Sequence, residues 1–132
     1  MALFCPVWLH LMAPRAADEV GPDLEALRHE HIAVVYAASS PAAAGLADAV
    51  AEELAVPVRI DADLDALDVA GFGHGGHPSS HCAEALQSIA DLHRGEHVVV
   101  VGGVPAPEGA AVLRRLEIGD DGWDLLPETQ SD

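Results

Sequence analysis

Within one glycine-rich stretch running from Gly71 to Cys82, the chain places His74, His77, His81 and Cys82 in the pattern His-x2-His-x3-His-Cys. Imidazole and thiolate are ligands for zinc, nickel or copper. Imidazoles at a pocket mouth can also serve as acid, base or ligand contact near neutral pH. The spacing matches no zinc-finger pattern, and neighbours such as His81 and Cys82 point in different directions on a helix. A solvated loop whose Cys82 turns into the core as a helix begins is the alternative. No motif demands a cofactor; a divalent metal at His74, His77, His81 and Cys82 is the one alternative the residue types allow.

A second set could hold an anion. Arg15 follows the first apolar run, and Ser39-Ser40-Pro41 follows the second. An arginine, two hydroxyls and the amides that open a helix are suited to a carboxylate or phosphate group, although an arginine paired with a surface carboxylate reads equally well. Arg28-His29-Glu30 also carries chemistry-bearing types. It precedes the second apolar run on a helix end, where His29 and His31 read as surface residues.

These residues need elements to position them. Four apolar runs, Val7 to Met12, Ile32 to Tyr36, Val56 to Ile60 and Val98 to Val101, alternate with helix-length amphipathic segments. That rhythm predicts an α/β domain with a mostly parallel sheet and flanking helices. Ser40 as N-cap and Pro41 as first helical residue predict a helix that buries Leu46, Val50 and Leu54. A second helix starts near Ser79 or Ser80, buries Leu86, Ile89 and Ala90, and stops before Gly95. Shorter helices are expected over 23–30 and 107–115. Leu116-Glu117-Ile118 and Trp123-Asp124-Leu125-Leu126 flank Gly119-Asp120-Asp121-Gly122, the composition of a C-terminal β-hairpin.

The 132 residues fit one domain, read as 1–127 with a loose tail at 128–132. Six Lys and Arg against 22 Asp and Glu give a net charge of −16, which repels nucleic acid and anionic membrane. Cys5 and Cys82 form no CxxC pattern, so a reducing, cytoplasmic setting is expected rather than a disulfide framework. The apolar opening lacks a positive leading segment, contains Pro6 and His10, and is too short to span a bilayer, so it reads as a strand.

Placed end to end, Val35-Tyr36 through Ser40-Pro41, Leu54-Ala55-Val56-Pro57-Val58-Arg59-Ile60-Asp61, Leu64-Asp65-Ala66-Leu67-Asp68 and Arg94-Gly95-Glu96-His97-Val98-Val99-Val100-Val101-Gly102-Gly103 resemble the histidine phosphatase superfamily, the phosphoglycerate mutase-like fold. The resemblance spans nearly the whole chain, which is shorter than typical members. It implies a phosphohistidine reaction built on an Arg-His-Gly triplet, an arginine after Ser-Pro, a Glu, and a second His after the valine strand. In this sequence those positions read Pro14, Ala44, Ala66 and Gly103.

Phosphoryl transfer through histidine needs a positioned imidazole, cationic clamps and a proton donor. Their loss from one frame leads to the expectation of a pseudoenzyme: a binding, scaffolding or regulatory domain lacking the catalytic His/Arg/Glu set, unlike a phosphatase or mutase, with a protein partner or a second copy of itself. The alternative is a repurposed enzyme acting on a small anionic metabolite in the ancestral pocket through Arg15 and loop histidines. A metal-binding module through His74, His77 and His81 is the third reading.

Overall fold

His-Val-Val-Val-Val is a sequence with no polar face, and it forms the strand His97–Val101 (β4), whose four valines are completely buried. A strand buried on both sides belongs in the middle of a parallel sheet. The computed structural model describes residues 7–14, 25, 27–67, 80–104, 113–119 and 122–125. In it Val7–Met12 (β1) and Ile32–Ala37 (β2) flank β4 and run parallel to it, and Val58–Ile60 (β3) extends the sheet beyond β2, also parallel. Leu113–Gly119 (β5) pairs antiparallel with β1, and Gly122–Leu125 (β6) pairs antiparallel with β5. The six strands lie in the order β3-β2-β4-β1-β5-β6.

Pro41–Leu54 (α1) starts as its sequence dictates. Ser40 Oγ accepts the Ala43 N–H at 3.3 Å, and Pro41 occupies the first turn, where no N–H is needed. Ala43, Leu46, Ala47, Val50 and Ala51 are its buried face. The helix ends at Ala55, left-handed at φ 57°, whose N–H closes onto the carbonyls of Ala51 and Glu52. Ser80–Leu92 (α2) buries Cys82, Ala85, Leu86, Ile89 and Ala90, and Gly95 follows its end at φ 80°. Parallel crossovers are right-handed, so two that run in opposite directions along the sheet put α1 and α2 on opposite faces. The Tyr36 hydroxyl meets His93 Nε2 at 3.0 Å, and His93 Nδ1 lies 2.9 Å from Glu96 Oε1. Those contacts fix the turn from α2 into β4, and so the position of His97.

The structure changes three of the sequence expectations. Residues 113–115 are strand, where a helix over 107–115 was expected: six residue partners along β1 outweigh the local helical preference of Leu-Arg-Arg-Leu-Glu. The third strand begins at Val58, because Pro57 has no N–H to give the ladder and contributes only its carbonyl, to Val35 N–H at 3.0 Å. In the segment expected as a helix over 23–30, residues 25, 27 and 28 are helical, and His29 and Glu30 already turn toward β2. The tail at 128–132 lies outside the described residues. No helix among them is long and apolar enough to cross a membrane.

Candidate functional site

The register of β1 decides which side chains meet. Leu9 and Leu11 point to one face, and Trp8, His10 and Met12 to the other. On that second face Arg115 of β5 is the partner of His10, and His97 of β4 is the partner of Trp8. A polar cluster therefore assembles toward the start of the parallel strands. His10 Nε2 and His97 Nδ1 are 3.0 Å apart, and the two rings are stacked with centroids 5.3 Å apart. Glu30, just ahead of β2, places Oε2 at 3.6 Å from His97 Nδ1 and Oε1 at 3.4 Å from Arg115 Nη2. Trp8 stacks on the outer ring, 4.6 Å from His97 and nearly parallel to it.

Burial separates the two imidazoles. His10 is only 2% exposed, whereas the His97 side chain is 25% exposed, so solvent and solutes reach the pair through His97. Burial, with His97 and Arg115 adding to it, pushes the His10 pKa down to about 3. Burial also lowers His97; Glu30 opposes this, and Arg115 and His31 reinforce it. Both rings are neutral at pH 7, and a hydrogen bond between Nε2 of His10 and Nδ1 of His97 requires one of the two, set by the tautomer, to carry the proton. His10 Nδ1 is buried with no hydrogen-bond partner.

The carboxyl end of the same strands is built differently. Ser39 gives both its backbone N–H (2.7 Å) and its hydroxyl (2.7 and 2.9 Å) to the carboxylate of Asp65. These bonds hold the Asp65 carboxyl below the usual carboxylate range. The turn after β4 lies against the same segment: Gly103 N–H donates to Leu64 O at 3.1 Å and Val104 N–H to Leu67 O at 3.2 Å.

No protein-family model matches the chain, and no curated protein matches it by sequence. Among solved structures, YhfR from Bacillus stearothermophilus superposes with a TM-score of 0.67 at 17% identity, covering 96% of this chain and 98% of its own. A phosphoglycerate mutase from Plasmodium falciparum superposes at 0.66 with 10% identity, covering 95% and 91% respectively. The fold is phosphoglycerate mutase-like.

On the phosphoglycerate mutase-like fold, Pro14 follows β1, Gly103 follows β4, Ala44 lies in the first turns of α1, and Ala66 follows the short 3-10 turn Ala62–Leu64. None of these four can carry the frame's chemistry. The expectation that the chain therefore lacks a catalytic His/Arg/Glu set is nevertheless overturned. His10, His97, Glu30 and Arg115 form such a set in mutual contact, at the other end of the strands. With it fall the label of pseudoenzyme and the inference that phosphatase-type or mutase-type chemistry is unexpected here. The sequence frame located four absences, and absence at one end of a sheet says nothing about the other.

Of the residues singled out from the sequence, Arg15, His74 and His77 lie outside the described residues. His81 is placed by its backbone in the first turn of α2. Cys82 is fully buried and its Sγ donates to Asp63 O at 3.4 Å, so it serves the contact between α2 and the 3-10 turn. Ser40 caps α1, and Ser39 holds an anion that the chain itself supplies. Arg28 pairs on the surface with Glu25 at 3.2 Å and Glu53 at 2.7 Å, and His29 is exposed, as read from the sequence. Glu30, set aside with them, is the residue that matters.

The Asp65 latch is open to a direct check. In Ser39→Ala the hydroxyl bonds vanish and the Asp65 pKa should rise toward the usual carboxylate value, read by carboxyl-carbon NMR titration. An unchanged titration would mean that Ser39 does not hold Asp65 in solution.

Proposed function

We propose that the protein is an enzyme descended from the histidine phosphatase superfamily and repurposed to act on a small anionic metabolite through the His10–Glu30–His97–Arg115 set. One observation carries this reading: two imidazoles, a carboxylate and a guanidinium, contributed by four separate segments, converge where the sheet would otherwise continue its apolar packing. His97 is the proton-transfer group, since its ring is neutral at pH 7 and meets solvent. Trp8 sets the plane of its ring, His10 backs it through their hydrogen bond, and Glu30 favours the imidazolium that forms when His97 accepts a proton. Arg115 spends part of its donor fork on Glu30 and offers the rest to a carboxylate or phosphate. Ser39 and Ser40 sit at the carboxyl end of the strands, committed to Asp65 and to the α1 cap, and take no part in this site.

The test is a thermal-shift screen of the full chain against phosphate monoesters and carboxylates, followed by turnover of each compound that stabilises it. A ligand present at a hundred times its Kd adds about 2.7 kcal/mol to stability, so binding is readily seen. Loss of a positioned acid-base group typically lowers rates by roughly 10²–10⁴-fold, and His97→Ala should lower kcat/KM within that range. Arg115→Met should raise KM. Turnover that survives both substitutions, or a screen in which no anion stabilises the chain, would overturn the reading.

A further inference from the structure

The same four residues contain a tighter geometry than acid-base chemistry requires. Among the described residues, one group of side chains brings three ligand atoms within 4.8 Å of one another: a nitrogen each from His10 and His97, and a carboxylate oxygen of Glu30. Around a tetrahedral zinc with bonds of roughly 2.0–2.1 Å, neighbouring ligand atoms stand about 3.3 Å apart. The His10–His97 separation of 3.0 Å and the His97–Glu30 separation of 3.6 Å bracket that value.

We infer that His10 Nε2, His97 Nδ1 and a Glu30 oxygen form a divalent metal site of the zinc class, with Arg115 holding the second oxygen of Glu30. The inference rests on the functional reading of this cluster and specifies what the cluster binds.

Two further observations support it. Two histidines and one glutamate are a ligand set that leaves zinc an open position for water or an anionic substrate. The Glu30 oxygens are already divided, Oε2 toward His97 and Oε1 toward Arg115, which is how an outer partner orients a ligating carboxylate. The guanidinium also tempers affinity by its charge, while the net charge of −16 over the whole chain favours cations.

The experiment titrates the full chain with zinc alone, in competition with a chromophoric chelator and without substrate. It is repeated for His97→Ala, for Glu30→Gln, and for a chain in which His74, His77 and His81 are all alanine. Both ligand positions are partly exposed, so these variants should fold, and circular dichroism checks that they do. The expected result is one zinc per chain, weakened at least about tenfold in His97→Ala and in Glu30→Gln and retained in the triple variant. No zinc binding, or binding lost only in the triple variant, would overturn the inference. Turnover of an anionic substrate without bound metal would sink the metal site and leave the enzyme reading standing. Zinc bound at these residues with no turnover would do the reverse.

Discussion

Replacing His10 with leucine should stabilise the folded protein while removing its chemistry. The ring is enclosed at 2% exposure, between strands whose other buried residues are almost all apolar, and its Nδ1 has no partner. A buried polar group left unsatisfied costs about 1–3 kcal/mol. A leucine of comparable size removes that cost and adds apolar burial, so a gain of about 1 kcal/mol at pH 7 is expected. The His97 nitrogen that loses its partner is better placed, because it is partly exposed and Glu30 is 3.6 Å away.

The pH dependence supplies the second readout. The His10 pKa falls from 6.5 in the unfolded chain to about 3 in the folded one. Between those values the unfolded chain binds the extra proton, so stability is full above pH 6.5 and is lost on acidification toward pH 3. The slope from this one group is about 1.4 kcal/mol per pH unit. The groups facing the ring are His97, Arg115 and, across His97, Glu30 and His31. His97 is shifted in the same direction and keeps its share of the slope in the variant. Thermal melts of wild type and His10→Leu from pH 7 to pH 4 should therefore start about 1 kcal/mol apart at neutral pH and separate further in acid, with the variant the flatter. A variant that is less stable at pH 7, with an unchanged acid slope, would show that His10 is held for packing alone.

How much of this the sequence could show differs between scaffold and site. The four-valine run, the Ser40-Pro41 start of α1, the buried face of α2 and the closing hairpin are each written in a local pattern, and each stands in the structure. The site is written in no local pattern. His10 lies inside an apolar run, Glu30 beside two surface residues, His97 at the head of the valines, and Arg115 in a stretch that resembles a helix. Only strand register brings them together: β5 adds itself antiparallel to β1, so that Arg115 faces His10, and β4 lies on the other side. One signal was available, a histidine between Leu9 and Leu11 in a strand buried on both faces, since buried polar residues are the informative exceptions. The resemblance directed attention to the opposite end of the strands. Pro14, Ala44, Ala66 and Gly103 offer no acid, base or cation there, and side chains at those positions carry no information about the other end.

Restoring that opposite end should prove impossible by single substitution. Gly103→Ala is expected to cost about 3 kcal/mol, the upper part of the range for overpacking, and to lower the melting temperature by about 10 °C. A Cβ at position 103 would overlap the Asp65 carbonyl oxygen and stand 2.7 Å from the Asp65 C and Cα atoms; one at position 102 would stand 2.6 Å from the Leu67 carbonyl oxygen. Both obstacles are backbone, so no side chain can rotate away. The backbone in question is pinned as well: Ser39 holds the Asp65 carboxylate, the Gly103 and Val104 amides bond to Leu64 and Leu67, and Leu64 and Leu67 are buried. Gly103→His, which would supply the imidazole type that the resemblance places there, meets the same obstacle with a larger side chain and should unfold the turn rather than create an acid or base. Urea melts of both variants decide the matter. A Gly103→Ala protein as stable as wild type would mean that residues 62–67 move aside freely, and that the anion position held by Asp65 is open to a ligand. The expected loss instead means that the chain fills its own anion position with Asp65 and closes over it with the glycine turn. The open chemistry is then left to His97 and Arg115 at the far end of the strands.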